Sequence, residues 1–291
     1  MIDARLGSLR QTPAARAAQA QAKPTEPEAP PADPQDTVSV GTYNVRNLFD
    51  KANQNPNINT VAKTPAAVKA AFGNIAEADA DIVALQEVEN LKILTQTLKK
   101  SGLNKVYPHV VLVEGNDQRG IDVALISKHP IKRVVSYKDR EFPTSEGKTT
   151  QFCRDLLRVD LDVKGYPFTV YTTHLKSQMG GDPATVKRLA EASEMRKILE
   201  EDMTPFPSRQ FVVTGDFNDK ASSETLKTVM GDDLVNSLAG QHAVTYPAKK
   251  VQFDYVLYPQ HMQDQFVSSE VRPNVDGSDH SMVVTTFRLT R

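Results

Sequence analysis

Apolar residues along this chain recur in two rhythms, and their alternation sets the first expectation for the fold. TVSVGTYNVRNLF alternates through Val38, Val40 and Thr42 and continues in Tyr43 and Val45, the period-two pattern of a strand that ends just past Asn44. Ile82 to Leu85 is a fully apolar strand with Gln86 and Glu87 at its exit. VYPHVVLVEG and GIDVALISKHPI read as a hairpin joined by NDQRG, with His129-Pro130 as a strand-ending turn. LLRVDLDV, YPFTVYTTHLKSQ, Phe211 to Val213, QFDYVLYP, the edge-like FVSSEVRP and the final GSDHSMVVTTFRL add further strands. Helical spacing appears between them. Thr64-Pro65 reads as N-cap and first residue of a helix marked by Val68, Phe72, Ile75 and Ala76. A second helix covers Leu91–Leu98, and a third follows GGDP with Val186, Leu189, Ala190, Met195, Ile198 and Leu199 on roughly one face. Ser222 or Ser223 caps a fourth, holding Leu226 and Val229. Tyr137 to Thr150 and residues 231–250 read as irregular. Periodicity by itself gives an α/β class and no more.

Composition narrows this picture. With 291 residues and 39% hydrophobic content the chain can bury one large core or two modest ones. Residues 1–36 are rich in Ala, Gln and Pro and end in KPTEPEAPPADPQD, a composition that reads as a tail or linker, leaving 37–291 as the folded domain. Lys+Arg 35 against Asp+Glu 36 leaves a net charge of -1, so a polyanionic partner has to be met locally. The single cysteine, Cys153, excludes an intrachain disulfide and a Cys-rich zinc site. No apolar run approaches the roughly 18 residues of a membrane span, and no signal-peptide core is visible. The expectation is a monomer without an obligate protein partner or transmembrane segment, cytoplasmic for want of a signal peptide.

The candidate chemistry lies in polar residues placed at, or inside, apolar strand patterns. FVVTGDFND joins a core strand to a turn expected at Gly215, and puts Asp216 and Asn218 on one side with Asp219 alternating away. That set suits a hard cation, a polarised water or a phosphate oxygen; it also suits an Asx turn bonding its own backbone. Glu87 is a candidate ligand for a divalent cation or, alternatively, the acidic first turn of the next helix. Asn44 reads as a neutral oxygen ligand, an orienter of a carboxylate, or an amide bridging two loops. Asp122 and Asp254, buried among apolar neighbours, each call for a partner such as a histidine N–H. His174 either donates to a phosphoryl oxygen, with Lys176 two residues on, or merely caps a sheet. Arg119 in the NDQRG turn can reach a phosphate. Asp279 and His280 introduce the last strand. No nucleophile elbow, P-loop or HExxH motif competes with this set. Carboxylates and amides favour Mg²⁺ or Mn²⁺ over zinc, and two histidines beside them point to hydrolysis of a phosphate ester by activated water.

TYNVRNL, LQEVEN, TTHLKS, GDFND, FDYVL and GSDH, in this order over residues 38 to 290, resemble the endonuclease/exonuclease/phosphatase superfamily that includes deoxyribonuclease I. HLKSQMGG, an Arg-containing helix and GDFND are similar to bacterial extracellular-nuclease-like members. The resemblance implies a four-layer α/β sandwich of two mostly antiparallel sheets flanked by helices. It implies Glu87 as the main Mg²⁺ ligand, with Asn44 and Asp279 completing or orienting the metal and water shell, and with Mn²⁺ or Ca²⁺ as substitutes. Asp216 and Asn218 would position water and phosphate, and His280 with Asp254 would form an acid/base or phosphate-polarising dyad. His174 would stabilise charge on the pentacovalent phosphate, with Arg119, Arg154 and Lys176 placed beside it as phosphate contacts from the pattern alone. The implied activity is cleavage of DNA or RNA; the alternative is a phosphatase or phospholipase-type diesterase on an inositol phosphate, sphingomyelin or another small phosphoester. The chain has no Trp and no basic, aromatic-rich insertion, which argues against abasic-site repair. The resemblance also favours an extracellular or periplasmic setting, against the cytoplasmic expectation above.

Overall fold

The computed structural model describes residues 36–50, 61–273 and 276–290; the tail or linker read over residues 1–36 lies, but for Asp36, outside them. In chain order the strands are β1 (Thr37–Leu48), β2 (Ile82–Val88), β3 (His109–Leu112), β4 (Asp122–Ser127), β5 (Ile131–Ser136), β6 (Phe142–Pro143) and β7 (Thr149–Thr150). They continue with β8 (Leu156–Val163), β9 (Tyr166–His174), β10 (Gln210–Asp216), β11 (Leu234–Asn236), β12 (Asp254–Pro259), β13 (Phe266–Val271) and β14 (Val283–Arg288). The helices are α1 (Pro65–Ala78), α2 (Leu91–Lys100), α3 (Gly181–Met203) and α4 (Glu224–Met230).

Two six-stranded sheets result, one in the order β13-β14-β1-β2-β4-β3 and the other β11-β12-β10-β9-β8-β5. Their inner faces meet through Val38, Val40, Val123 and Leu125 on one side and Val159, Phe168, Val170 and Val212 on the other. The outer face of the first sheet carries Tyr43, Val83 and Leu85 against Phe72 and Ile75 of α1 and Leu94 and Leu98 of α2. The outer face of the second carries Tyr171, Val213 and Leu257 against Met195 and Ile198 of α3 and Leu226 and Val229 of α4. This is the expected four-layer sandwich. Each central strand is buried on both faces, which is why Ile82 to Leu85 and Phe211 to Val213 read as unbroken apolar runs. Among the described residues no helix is long and apolar enough to cross a membrane.

Within each sheet one βαβ unit makes a parallel pair: β1 with β2 across α1, and β9 with β10 across α3. The remaining ladders among the two large sheets are antiparallel. Parallel pairing brings the C-terminal ends of β1 and β2 together, and likewise those of β9 and β10. The helices start where capping residues stand: Thr64 Oγ1 accepts from Ala67 N, Asn90 Oδ1 from Ile93 N, and Ser223 Oγ from Leu226 N.

Three expectations need correction. Gly215 does not begin a turn: β10 stays in register with β9 through Asp216 opposite His174, and the chain departs after it. Gly215 is required there because a Cβ would overlap the carbonyl oxygen of Thr173, at a φ of 140°. Residues 137–150 are not all loop, since β6 and β7 pair and Phe142 packs on Phe152 with ring centres 5.0 Å apart. The stretch 231–250 likewise contains β11, which extends the second sheet.

Candidate active site

The strand ends gather the polar residues into one cleft. Asn44 lies near the end of β1, Glu87 near the end of β2, His174 ends β9, and Asp216 ends β10. The antiparallel β12 begins with Asp254 directly opposite Asp216, and Asp279 and His280 come just before β14. A cleft of about 690 Å³ is lined by Glu87, His174, Asp216, Asn218, Asp279 and His280, with Arg119, Arg154, Lys176 and Lys249 on its cationic side.

Its floor is a connected hydrogen-bond network. His280 Nδ1 lies 2.8 Å from Asp254 Oδ2, and Asp254 is fully buried. The Nε2 atoms of His174 and His280 stand 3.4 and 3.7 Å from Asp216 Oδ2. Asp216 Oδ1 accepts the Asn218 N–H at 2.8 Å, a contact that needs Asn218 in the left-handed region at φ 51°. Asn44 Nδ2 donates to Asp216 Oδ2 at 3.1 Å and to Glu87 Oε1 at 3.4 Å, while its Oδ1 takes the Arg46 N–H. The Asn44 oxygen is thus directed to the backbone rather than to the cleft, and its amide nitrogen lies between the carboxylates of Asp216 and Glu87. Glu87 Oε2 accepts the Asn47 N–H at 2.8 Å. Tyr246 packs on Phe253 and tilts against the His280 ring at 4.8 Å, closing one side of the imidazole.

Burial and charge divide the titrating groups. Burial holds the His174 imidazole well below its ordinary value, and the charges of Arg154, His280 and Arg119 push the same way, so this ring is neutral. Burial also opposes a charge on His280, but the carboxylates of Asp254 and Asp216 outweigh it and raise the imidazole to about 10. Asp216 is raised by burial, with Asp254 adding to the rise and His280 opposing it.

The cationic residues are less free than their sequence positions suggest. Arg154 is buried, its NH2 pairs with Asp117 Oδ2 at 2.8 Å, and its NH1 donates to Leu175 O at 3.1 Å. Arg119 reaches the other oxygen of the same carboxylate at 3.4 Å. Lys176 is half-buried and pairs with no carboxylate among the described residues. Asp122 orients no histidine: its Oδ1 takes the Gly115 N–H at 2.7 Å, tying β4 to the preceding turn.

Four contributors escaped the strand-end argument. Arg46, at φ 49°, pairs with Asp279 at 3.5 Å, and Asp117 joins the two guanidiniums. Lys249 Nζ donates to Gln178 Oε1 at 2.8 Å, linking the loop after β9 to the loop before β12. The charged neighbours within NDQRG were a usable signal for Asp117; nothing in the sequence pairs positions 178 and 249.

The donor chemistry fits a hard divalent cation. Glu87 and Asp279 present carboxylate oxygens to the cleft, and Glu87 is fixed by two N–H groups that leave it lone pairs. Asp216, Asp254 and His280 form a second close set, with ligand atoms within 4.8 Å of one another. There, however, Asp254 and His280 already face each other in a hydrogen bond.

A family model described as Endonuclease/Exonuclease/phosphatase family matches residues 39–270. No curated protein sequence matches the chain. The catalytic domain of human Nocturnin with bound sulfate anion is similar in structure, with TM-score 0.61 and 18% identity over 87% of this chain and 95% of that one. Truncated TDP2 from Caenorhabditis elegans gives 0.63 and 18%, covering 87% and 98%. A mutant beta toxin from Staphylococcus aureus with bound magnesium ions gives 0.62 and 16%, covering 87% and 100%. At these identities the likeness is one of fold. With the family model covering most of the sequence, the chain belongs to the endonuclease/exonuclease/phosphatase family, a family of metal-dependent phosphoester hydrolases.

Proposed function

We propose that this protein is a divalent-metal-dependent phosphodiesterase that cleaves DNA or RNA by attack of an activated water. The observation that carries the reading is the convergence of Asn44, Glu87, His174, Asp216, Asp254 and His280 on one cleft, with the 2.8 Å Asp254–His280 bond at its floor. Glu87 and Asp279 would hold Mg²⁺, with Mn²⁺ or Ca²⁺ as substitutes. The ion, when bound, supplies electrophilic stabilisation of charge on a phosphoryl oxygen.

The chain's own groups do the rest. Asp216 takes a proton from water, its carboxylate fixed by Asn44 Nδ2 on one oxygen and the Asn218 N–H on the other. A raised carboxylate is a better base near neutral pH than an ordinary one. His280, kept cationic by Asp254, faces the charge that develops on the phosphate. Neutral His174 donates a hydrogen bond to another phosphoryl oxygen without adding charge beside His280. Lys176 and Lys249 line the same cleft beside Arg119 and Arg154, whose charge Asp117 only partly offsets, and this net cationic side supports a polyanionic substrate over a small phosphoester.

Supercoiled plasmid, single-stranded DNA and RNA, incubated with Mg²⁺, Mn²⁺ or EDTA, test this against Asp216→Ala. Metal-dependent cleavage abolished in the variant is the expected result. No cleavage of any polymer, together with turnover of small phosphomonoesters or lipid phosphodiesters, would replace it with the second reading.

A further inference from the structure

Helix α3 carries three buried charged side chains, Arg188, Glu191 and Glu194, where packing alone would call for apolar ones. Glu194 has an evident structural partner in Arg140 Nε at 2.6 Å. Glu191 does not: it is 1% exposed, and its nearest cation, Lys187, stands 3.8 Å away. Its two oxygens instead accept backbone N–H groups from two different cleft segments, Cys153 at 2.7 Å and Lys176 at 2.8 Å. One turn earlier, Arg188 Nε pairs with Asp219 Oδ2 at 3.0 Å, and its NH1 donates to the carbonyls of Lys176 and Ser177 at 3.3 and 3.5 Å. The peptide of Lys176 is therefore held at its N–H by Glu191 and at its C=O by Arg188.

That peptide stands behind the cationic side of the cleft. Leu175, its neighbour, donates its N–H to Asp216 O at 3.0 Å. The Leu175 carbonyl accepts from both Arg154 NH1 and Asn218 Nδ2, each at 3.1 Å. The Cys153 N–H that Glu191 takes lies one residue before Arg154, and the Asp219 that Arg188 takes lies one residue after Asn218. A buried carboxylate is expensive to desolvate, and replacing such a group by an apolar one is often neutral or stabilising. Its use here is geometric.

We infer that Glu191 and Arg188 are positioning residues that set Lys176, Arg154 and Asn218 against the substrate phosphate without touching it. The inference rests on the reading that these three side chains face that phosphate. It predicts coupling: a Glu191 substitution acts through Lys176 and its neighbours, so its effect shrinks once Lys176 is gone.

Glu191→Gln, Lys176→Met, the double variant and the matched control Glu194→Gln are compared on a dye-labelled DNA duplex with Mg²⁺, alongside amide hydrogen exchange without substrate. Glu191→Gln is expected to lower kcat/KM about 10- to 100-fold, the size seen when a partner that orients a functional group is lost. Glu194→Gln, equally buried on the same helix, stays within about 3-fold even where its thermal midpoint falls as far. On the Lys176→Met background Glu191→Gln costs at least about 3-fold less than on the wild type. Exchange at Cys153 and Lys176 accelerates in Glu191→Gln and not in Glu194→Gln. Additive effects on Lys176→Met, or equal losses in the two glutamate variants, would overturn the inference. Should the wild type cleave no phosphoester, the catalytic reading fails, and unchanged exchange at Cys153 and Lys176 would separately remove the grip.

Discussion

Asp254→Asn isolates the charge of the dyad from its shape. Asp254 is fully buried and meets His280 Nδ1 at 2.8 Å, and an asparagine oxygen can accept the same ring N–H in the same place. What changes is the field. The His280 imidazole stands at about 10 against an ordinary 6.5, a rise worth roughly 5 kcal/mol in favour of the cation, to which Asp254 is the largest positive contributor. Without that carboxylate, burial is opposed mainly by Asp216, itself raised and so only partly charged near neutrality. His280 then becomes neutral at pH 8. A group that neutralises developing phosphate charge is lost, and kcat/KM should fall about 10²- to 10⁴-fold at pH 8. The loss narrows as pH falls, because acid restores the imidazolium. A rate profile from pH 5.5 to 9 with saturating Mg²⁺, paired with NMR titration of the His280 ring, measures both quantities. Urea denaturation at pH 8 should still show a cooperative folded state, with a midpoint below the wild type because part of the stability that the raised imidazole adds below its folded pKa is lost. An Asp254→Asn enzyme within a few-fold of wild type at pH 8, or a ring that stays cationic there, would refute the argument.

Three further outcomes follow from single contacts. Glu87→Gln keeps an oxygen for the Asn47 N–H but removes the carboxylate charge, so Mg²⁺-dependent turnover should drop at least about 100-fold and calorimetric Mg²⁺ binding should weaken; unchanged binding would move the metal to another set. Gly215→Ala places a methyl on the Thr173 carbonyl oxygen at an unfavourable φ, and a loss of more than about 4 kcal/mol, or no soluble protein, is expected from denaturation. Asp155 is fully buried with Oδ2 unpartnered, and burial raises it from 3.8 to about 7. For an acid raised in the folded state, the folded chain holds the extra proton between those values, so stability falls as pH climbs from about 4 to 7. Asp155→Asn, which can still accept the Tyr137 N–H, should gain roughly 1–4 kcal/mol over wild type at pH 8 and little at pH 4; equal wild-type and variant stability at both pH values would count against the shift.

How much of this could be read from the sequence depends on whether a contact is local. The strands and two of the caps were legible because hydrophobic period and capping chemistry act within a few residues: Thr64 and Ser223 each bond an N–H three positions on. The strand-end polar residues were legible as a recurrence, since a carboxylate beside an apolar run needs a partner wherever it goes. Which partner it takes is a matter of topology. Asp122 and Asp254 carried the same signal, yet one bonds a turn N–H and the other a histidine, because only β12 starts beside His280. Arg154 and Arg119 illustrate the converse: the charges of the NDQRG turn were visible, but nothing local shows that Asp117 binds Arg154, far along the chain, as well as its near neighbour Arg119. Glu191 was hidden further still, as one more polar position on a helix whose apolar stripe is incomplete.

The backbone itself explains how one carboxylate is aimed. In a regular strand Gln86 and Glu87 would point to opposite faces, and neither face of a sheet packed on both sides opens on the cleft. Gln86 obeys the rule, buried and bonded to Thr42 on β1. Glu87 does not: the β1–β2 pairing shifts register between Asn44 and Leu48, the β2–β4 pairing shifts between Gln86 and Val88, and Glu87 adopts φ 65°. Across the same irregularity Arg46 and Asn47 both sit at φ 49°. Three non-glycine residues in the left-handed region within one pair of strands represent backbone strain of about 1–3 kcal/mol each, retained only where the surroundings enforce it. The enforcement is visible, since Asn47 N–H holds Glu87 Oε2, Asn44 holds Oε1, and the Arg46 guanidinium holds Asp279. The bulge turns Glu87 out of the sheet and into the cleft that Asp279 also lines.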